Sequence, residues 1–130
     1  MVILGIDFGL KKIGLALAQN GLIRPLGVVR ASPRVFNKIG VICKEHEVKK
    51  IVIGLTPGPL FSKIKKFACR LSSEIGLPVE FQDETLTSRQ AIAKMIEEGI
   101  KKKKRRKLED AAAAACILKE YLLRKEVEGV

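Results

Sequence analysis

Apolar residues open this chain in short runs. Val2 to Phe8 is one, Ile13 to Ala18 a second and Leu26 to Arg30 a third, with Gly9-Leu10-Lys11-Lys12 between the first two. Runs of this length around a glycine-containing turn predict strands. Their close succession predicts an antiparallel meander. The period then changes. After Ser32-Pro33, the residues Val35, Phe36, Ile39, Ile42 and Cys43 recur at helical spacing. Ser32 as N-cap and Pro33 at the first helical position predict the helix start. Lys50 to Gly54 is a fourth strand, apolar enough to be central. Leu55 to Leu60 holds two prolines and a glycine and reads as a loop. Phe61, Ile64, Phe67, Ala68, Leu71 and Ile75 form a second helical stripe, closed by Gly76. Pro78 to Gln82 predicts a fifth strand. Thr87 and Gln90 have capping-box spacing for a helix to Glu98, and Leu108 to Glu126 predicts a last one. The order is β-β-β-α-β-α-β-α-α, without a repeat or a linker. It predicts a single α/β domain over residues 1–130. A mixed five-stranded sheet should carry helices on both faces.

Composition narrows the function. The chain has 130 residues, 47% hydrophobic and 30% charged, which suits one folded domain. No apolar stretch approaches the ~18–20 residues that span a bilayer. The N-terminus lacks the basic start of a signal peptide. A cytoplasmic protein without membrane attachment is expected. Cys43, Cys69 and Cys116 form no CxxC pair, so neither a zinc site nor a disulfide framework is expected. Each falls in an apolar helical pattern and reads as a reduced core thiol. The single histidine, His46, rules out a two-histidine metal centre within one chain. It reads as an exposed residue at a helix end.

Carboxylates stand out of character at three places. Asp7 lies in the apolar run Val2-Ile3-Leu4-Gly5-Ile6-Asp7-Phe8-Gly9. Alternation puts it on one face with Ile3, Gly5 and Gly9. An ionised carboxylate there costs several kcal/mol unless it is paired or binds a cation. The plain alternative is a strand-end aspartate accepting turn N–H bonds. Asp83-Glu84 follows the fifth strand, where α/β sheets gather their sites. A solvated loop is the alternative. Glu109-Asp110 precedes five alanines, Ala111 to Ala115. A first-turn acid complementing the helix dipole is the alternative. The alanines, however, would let this helix approach the sheet and bring Asp110 near Asp7. Together these acids suggest one cluster with oxygen ligands only. Such a cluster favours Mg²⁺ or Mn²⁺, and two ions would suit phosphodiester cleavage.

The charge points to a polyanionic partner. The formal net charge is +11, and Lys101, Lys102, Lys103, Lys104, Arg105, Arg106 and Lys107 are consecutive. A solvated charge block is the plain reading. A phosphate-binding strip beside the acids is the functional one. There are five Phe and one Tyr, most at core positions, so an aromatic base-stacking platform is not expected. Recognition should rest on backbone and shape.

A family resemblance joins these features. Gly5-Ile6-Asp7-Phe8-Gly9-Leu10-Lys11-Lys12-Ile13-Gly14 resembles the opening of the YqgF (RuvX-type) family. The likeness continues in Arg24-Pro25, in Ile53-Gly54-Leu55 and in Gln82-Asp83-Glu84-Thr85-Leu86-Thr87-Ser88. It ends in Lys104 to Lys107 and Lys107-Leu108-Glu109-Asp110 with the alanine-rich helix. Family members are regarded as Holliday junction resolvases and as nucleases maturing the 5′ end of pre-16S ribosomal RNA. The resemblance implies an RNase H-like fold, with the first three strands antiparallel and the fourth and fifth parallel to the first. It implies Asp7, Glu84 and Asp110 as catalytic metal-binding acids, with Asp83 the other candidate of its pair. It implies Lys11 and Lys12 as phosphate contacts. The chain departs from the family pattern at Leu10, in the short Thr56-Pro57-Gly58-Pro59-Leu60 loop and at Thr85.

The leading expectation is a Mg²⁺-dependent nuclease acting on structured RNA, with a ribosome precursor as partner. The alternatives are a dimeric resolvase of branched DNA and a binding module that has lost catalysis. A monomer or weak homodimer is expected. Asp7-Phe8-Gly9 also resembles the first phosphate loop of sugar-kinase and chaperone ATPases. Those proteins are much longer, and no Gly-Lys-Ser/Thr motif is present.

Overall fold

The computed structural model describes residues 1–83 and 102–127. The strands are β1 (Val2–Asp7), β2 (Lys12–Gln19), β3 (Leu22–Arg30), β4 (Val48–Leu55) and β5 (Val79–Asp83). The helices are α1 (Val35–Glu45), α2 (Phe61–Ile75) and α3 (Lys102–Val127). The helix expected from Thr87 to Glu98 lies outside the described residues. One mixed sheet has the order β3-β2-β1-β4-β5. β1 pairs antiparallel with β2 and parallel with β4, and β5 is parallel to β4. This is the expected arrangement.

Strand alternation divides the core in two. Leu4, Ile6, Ile13, Leu15, Ile51 and Ile53 face α1 and α2, meeting Phe36, Ile39, Ile64 and Leu71. Ile3, Ala16, Ala18 and Val52 face α3, meeting Ala114, Ile117, Leu118 and Tyr121. β1 and β4 are covered on both sides, which is why they read as continuous apolar runs. Each fully buried Leu or Ile contributes ~1.5–3 kcal/mol.

Several boundaries differ from expectation. β3 begins at Leu22, because Asn20 (φ 52°) and Gly21 (φ 80°) close a two-residue hairpin turn between Gln19 and Leu22. Asn-Gly with both residues at positive φ is the favoured turn for this twist. α1 starts at Val35, two residues beyond Pro33. The Ser32 hydroxyl accepts the Arg34 N–H at 3.3 Å, and the Ser32 carbonyl accepts the Val35 N–H at 3.0 Å. Ser32-Pro33-Arg34 is thus a turn that leads into the helix. α3 begins at Lys102 and takes the basic run into its first turns. Lys and Arg are good helix formers, and no Gly or Pro separates them from Leu108. Of the thiols, Cys43 is buried, Cys116 half-buried and Cys69 exposed. Cys69 departs from the expectation because its neighbours Ala68 and Leu71 take the inward face of α2. His46 sits at the α1 C-cap, half-buried. Among the described residues, no helix is long and apolar enough to cross a membrane.

Candidate active site

Asp7 ends β1 and is half-buried after five buried residues. Its register partner on β2 is Gly14. Across the parallel strands, Ile6 pairs with Ile53, Ile53 with Phe81 and Leu55 with Asp83. Asp7 and Asp83 therefore stand at the same carboxyl edge of the sheet, where α/β folds place ligands. They do not share a face. Asp7 has the parity of Ile3, which packs towards α3. Asp83 has the parity of Val79 and Phe81, which pack towards α1 and α2. Its side chain is exposed.

The sequence around Asp7 is shaped by close approach. A Cβ on Gly5 would lie 2.5 Å from Leu118 Cγ and 3.0 Å from the Ala114 carbonyl oxygen. Glycine there lets α3 rest directly on β1 through Ala114 and Leu118, and Ala111 and Ala113 of the same helix are buried without bulk. A Cβ on Gly9 would lie 2.4 Å from the Lys12 carbonyl oxygen, so the turn after Asp7 closes only around glycine. That turn carries Lys11 and Lys12, both exposed. The Lys11 carbonyl accepts the Ala31 N–H at 2.9 Å, which holds the turn against the end of β3.

The direction of α3 sets how far along β1 the backbone of Asp110 reaches. Tyr121 bonds Lys50, the register partner of Ile3. Leu118 and Ala114 meet Gly5, two residues further along β1. Moving back along α3 thus moves forward along β1. One turn back from Ala114 is Asp110, a rise of about 6 Å. Two residues forward from Gly5 is Asp7, an advance of about 6.6 Å. The backbone of Asp110 therefore comes level with Asp7. Glu109 and Asp110 stand about two turns inside the helix, and no acid occupies its first turn. They lie beyond the first turn, within which the helix dipole acts most strongly. Glu84, Lys101 and the side chains of residues 102–110 lie outside the described residues. Among the described residues, no three His, Cys, Asp or Glu side chains gather.

Sequence reasoning missed a polar clasp further along α3. Tyr121, 1% exposed, accepts a hydrogen bond from Lys50 Nζ at 3.0 Å and donates its hydroxyl to Glu80. Lys50 pairs with Glu80 at 3.2 Å, and Lys125 lies 3.8 Å from the same carboxylate. Arg124 Nε donates to Gln82 Oε1 at 2.9 Å. The Tyr121 hydroxyl, with Lys50 and Lys125, holds the Glu80 carboxyl below its usual range against partial desolvation. The same hydroxyl, with Glu80, raises the Lys50 ammonium. The alternation Val79-Glu80-Phe81-Gln82 was the available signal, since it gives β5 one polar face for α3.

The sheet order, the helices on both of its faces and an acid at the end of the central strand define an RNase H-like fold. Two solved structures share it. T. thermophilus RuvC in complex with Holliday junction substrate aligns with a TM-score of 0.58 at 24% identity, covering 95% of this chain and 96% of that one. The fowlpox virus Holliday junction resolvase aligns with a TM-score of 0.60 at 17% identity, covering 95% and 99%.

Residues 1–124 match the family model described as "RuvX: Holliday junction resolvase", and the chain belongs to that family. Curated relatives carry the name "Putative pre-16S rRNA nuclease". One from Syntrophus aciditrophicus is 40% identical over 134 residues, covering 94% of this chain and 88% of the relative. Another from Desulfitobacterium hafniense is 35% identical over 130 residues, covering 94% and 92%.

Proposed function

We propose that this protein is a Mg²⁺- or Mn²⁺-dependent nuclease that processes the 5′ end of pre-16S rRNA in the cytoplasm. One observation carries the reading: α3 lies on Gly5 in the direction that brings the backbone of Asp110 level with the half-buried Asp7. The resemblance to relatives named for that RNA supplies the substrate.

Asp7, Glu84 and Asp110 would hold the metal, which supplies charge neutralisation and an activated water for phosphodiester hydrolysis. Their donor set suits a hard cation, since it contains only carboxylate oxygen. The far-face parity of Asp83 favours Glu84 as the ligand from that pair. The half-buried setting of Asp7 limits water around its carboxylate and strengthens its attraction for a cation. Lys11 and Lys12 would take phosphates beside Asp7. Lys101 to Lys107 would take them beside Asp110.

The second reading is a resolvase of four-way DNA junctions. The family description and the RuvC likeness favour it. It requires two copies related by a two-fold axis.

Purified wild type and Asp7→Asn should be incubated with a labelled precursor-like rRNA fragment and with a four-way DNA junction, in Mg²⁺, Mn²⁺ or EDTA. The nuclease reading expects metal-dependent RNA cuts that vanish in Asp7→Asn. Paired symmetric cuts in the junction would establish the resolvase instead. Tight, salt-sensitive binding without any cut would leave a binding module.

A further inference from the structure

We infer that the first two turns of α2 form a second phosphate-binding strip, which holds the nucleic-acid backbone on the face of the sheet opposite α3. The inference rests on the nucleic-acid reading above and adds a surface that the basic run does not supply.

The first observation is charge. From Phe61 to Ser73, α2 contains Lys63, Lys65, Lys66 and Arg70 and no acid. Cations in the first turns oppose the helix dipole, and like charges three apart repel. Local stability does not favour this pattern, whereas a polyanionic partner does.

The second observation separates the four cations. Arg70 is engaged: it pairs with Glu74 at 3.1 Å and lies 4.4 Å above the Phe36 ring. Lys65 is also engaged, 4.7 Å above the Phe81 ring and 5.6 Å from that of Phe61. Lys63 and Lys66 are exposed, and neither has an ion pair or ring partner among the described residues.

The third observation is position. α2 follows the carboxyl end of β4 after only the 56–60 loop, so it starts at the Asp7 edge. Phe8, the residue after Asp7, packs on Phe67 with ring centroids 5.0 Å apart. Lys66 adjoins Phe67, and Lys63 is one turn before it. The Lys65–Phe81 contact ties the same turns to β5 two residues before Asp83. The α2 turns that carry Lys63 and Lys66 therefore lie at the rim of this edge. Phe61, 43% exposed, opens the strip, although its place in the apolar stripe predicted burial.

The test measures binding in EDTA, where cleavage does not intervene. Wild type, Lys63→Gln/Lys66→Gln and Lys44→Gln/Lys49→Gln are titrated with a labelled RNA hairpin bearing a 5′ single-stranded extension, across a salt series. The control pair removes the same charge from exposed positions at the opposite end of the molecule, late in α1 and early in β4. The expected result is about tenfold weaker binding by the α2 double variant, with the log–log salt slope reduced by roughly 1.4–1.8. The control should keep the wild-type slope. Lys63→Arg/Lys66→Arg should bind like wild type and exclude a folding defect. Equal losses in both Gln pairs, or none in the α2 pair, would overturn the strip while leaving the nuclease reading intact. Failure of wild type to bind would overturn both.

Discussion

Substituting Gly5 by alanine tests whether the approach of α3 to β1 builds the site. The added Cβ would meet Leu118 Cγ at 2.5 Å, Leu118 Cδ1 at 2.9 Å and the Ala114 carbonyl oxygen at 3.0 Å. Ordinary contacts lie at about 3.5–4.0 Å, so roughly 1 Å must be found. Neither neighbour yields easily. Leu118 is fully buried, and the Ala114 oxygen belongs to the helix backbone. Rotating Leu118 off its rotamer costs about 0.5–1.5 kcal/mol, and overpacking of this kind typically costs about 1–3 kcal/mol. In a chain of this length that lowers Tm by roughly 4–12 °C. Lifting α3 instead moves Asp110, one turn from Ala114, away from Asp7. A misplacement of about 1 Å costs about 10²-fold in rate. Thermal unfolding and single-turnover cleavage of the rRNA fragment measure the two effects. Leu118→Ala in the Gly5→Ala background makes room for the Cβ, so the double variant should be more stable than the two single effects sum to. A coupling of about 0.5–3 kcal/mol is expected. Wild-type Tm and rate in Gly5→Ala, or strict additivity with Leu118→Ala, would refute the close-approach argument.

Other consequences follow from particular residues. Asp7→Asn should abolish metal-dependent cleavage without lowering Tm in EDTA, because it removes a charge from a half-buried strand end; a large loss of Tm there would make Asp7 structural. Glu80→Gln should destabilise the protein at neutral pH and matter less in acid. The Glu80 pKa is lowered on folding, so its stabilisation is present above the unfolded value and is lost as pH falls through the folded one. A parallel pair of stability–pH curves would contradict this. Lys50 has the opposite sign: its pKa is raised on folding, so its contribution holds below the unfolded value and fades as pH rises through the folded one. Burial pushes the Cys43 thiol up to about 11, so at pH 8 a thiol reagent should label the exposed Cys69 and spare Cys43 in the folded protein. Rapid labelling of Cys43 would show that its pocket opens.

The parts legible in the sequence were those with an unambiguous period. The double-sided apolar runs of β1 and β4 gave their central place, and the stripes of α1 and α2 gave their buried faces. Asp7 stood out because a carboxylate contradicts the strand around it. The early start of β3 was written in Asn20-Gly21, but the weakly apolar residues after it hid the strand, since β3 is an exposed edge. Charge misled the reading of α3. A run of seven basic residues reads as a solvated segment, yet its helix propensity is high and the packed alanines beyond it anchor the helix. The Tyr121 clasp showed locally only as the polar alternation of β5, because Lys50, Glu80 and Tyr121 meet only through the sheet register.

The clasp and the glycine together set the placement of α3 that the alanines leave open. A stripe of alanines packs closely but offers little resistance to sliding, because it presents few knobs to lodge between neighbours. Sliding α3 along β1 by one residue would carry Asp110 about 1.5 Å, more than the misplacement that costs about 10²-fold. Tyr121 opposes this slide with directional bonds to Lys50 and Glu80, on two different strands. Gly5 sets the depth at which Ala114 and Leu118 rest on β1. Tyr121→Phe retains the ring and its packing but removes the hydroxyl. It should cost about 1.5–3 kcal/mol, the scale of hydrogen bonds to charged groups. Its effect on cleavage should exceed its effect on binding in EDTA, since phosphate contacts do not depend on the register of Asp110. Equal losses in binding and cleavage would place the clasp in general stability rather than in the alignment of the acids.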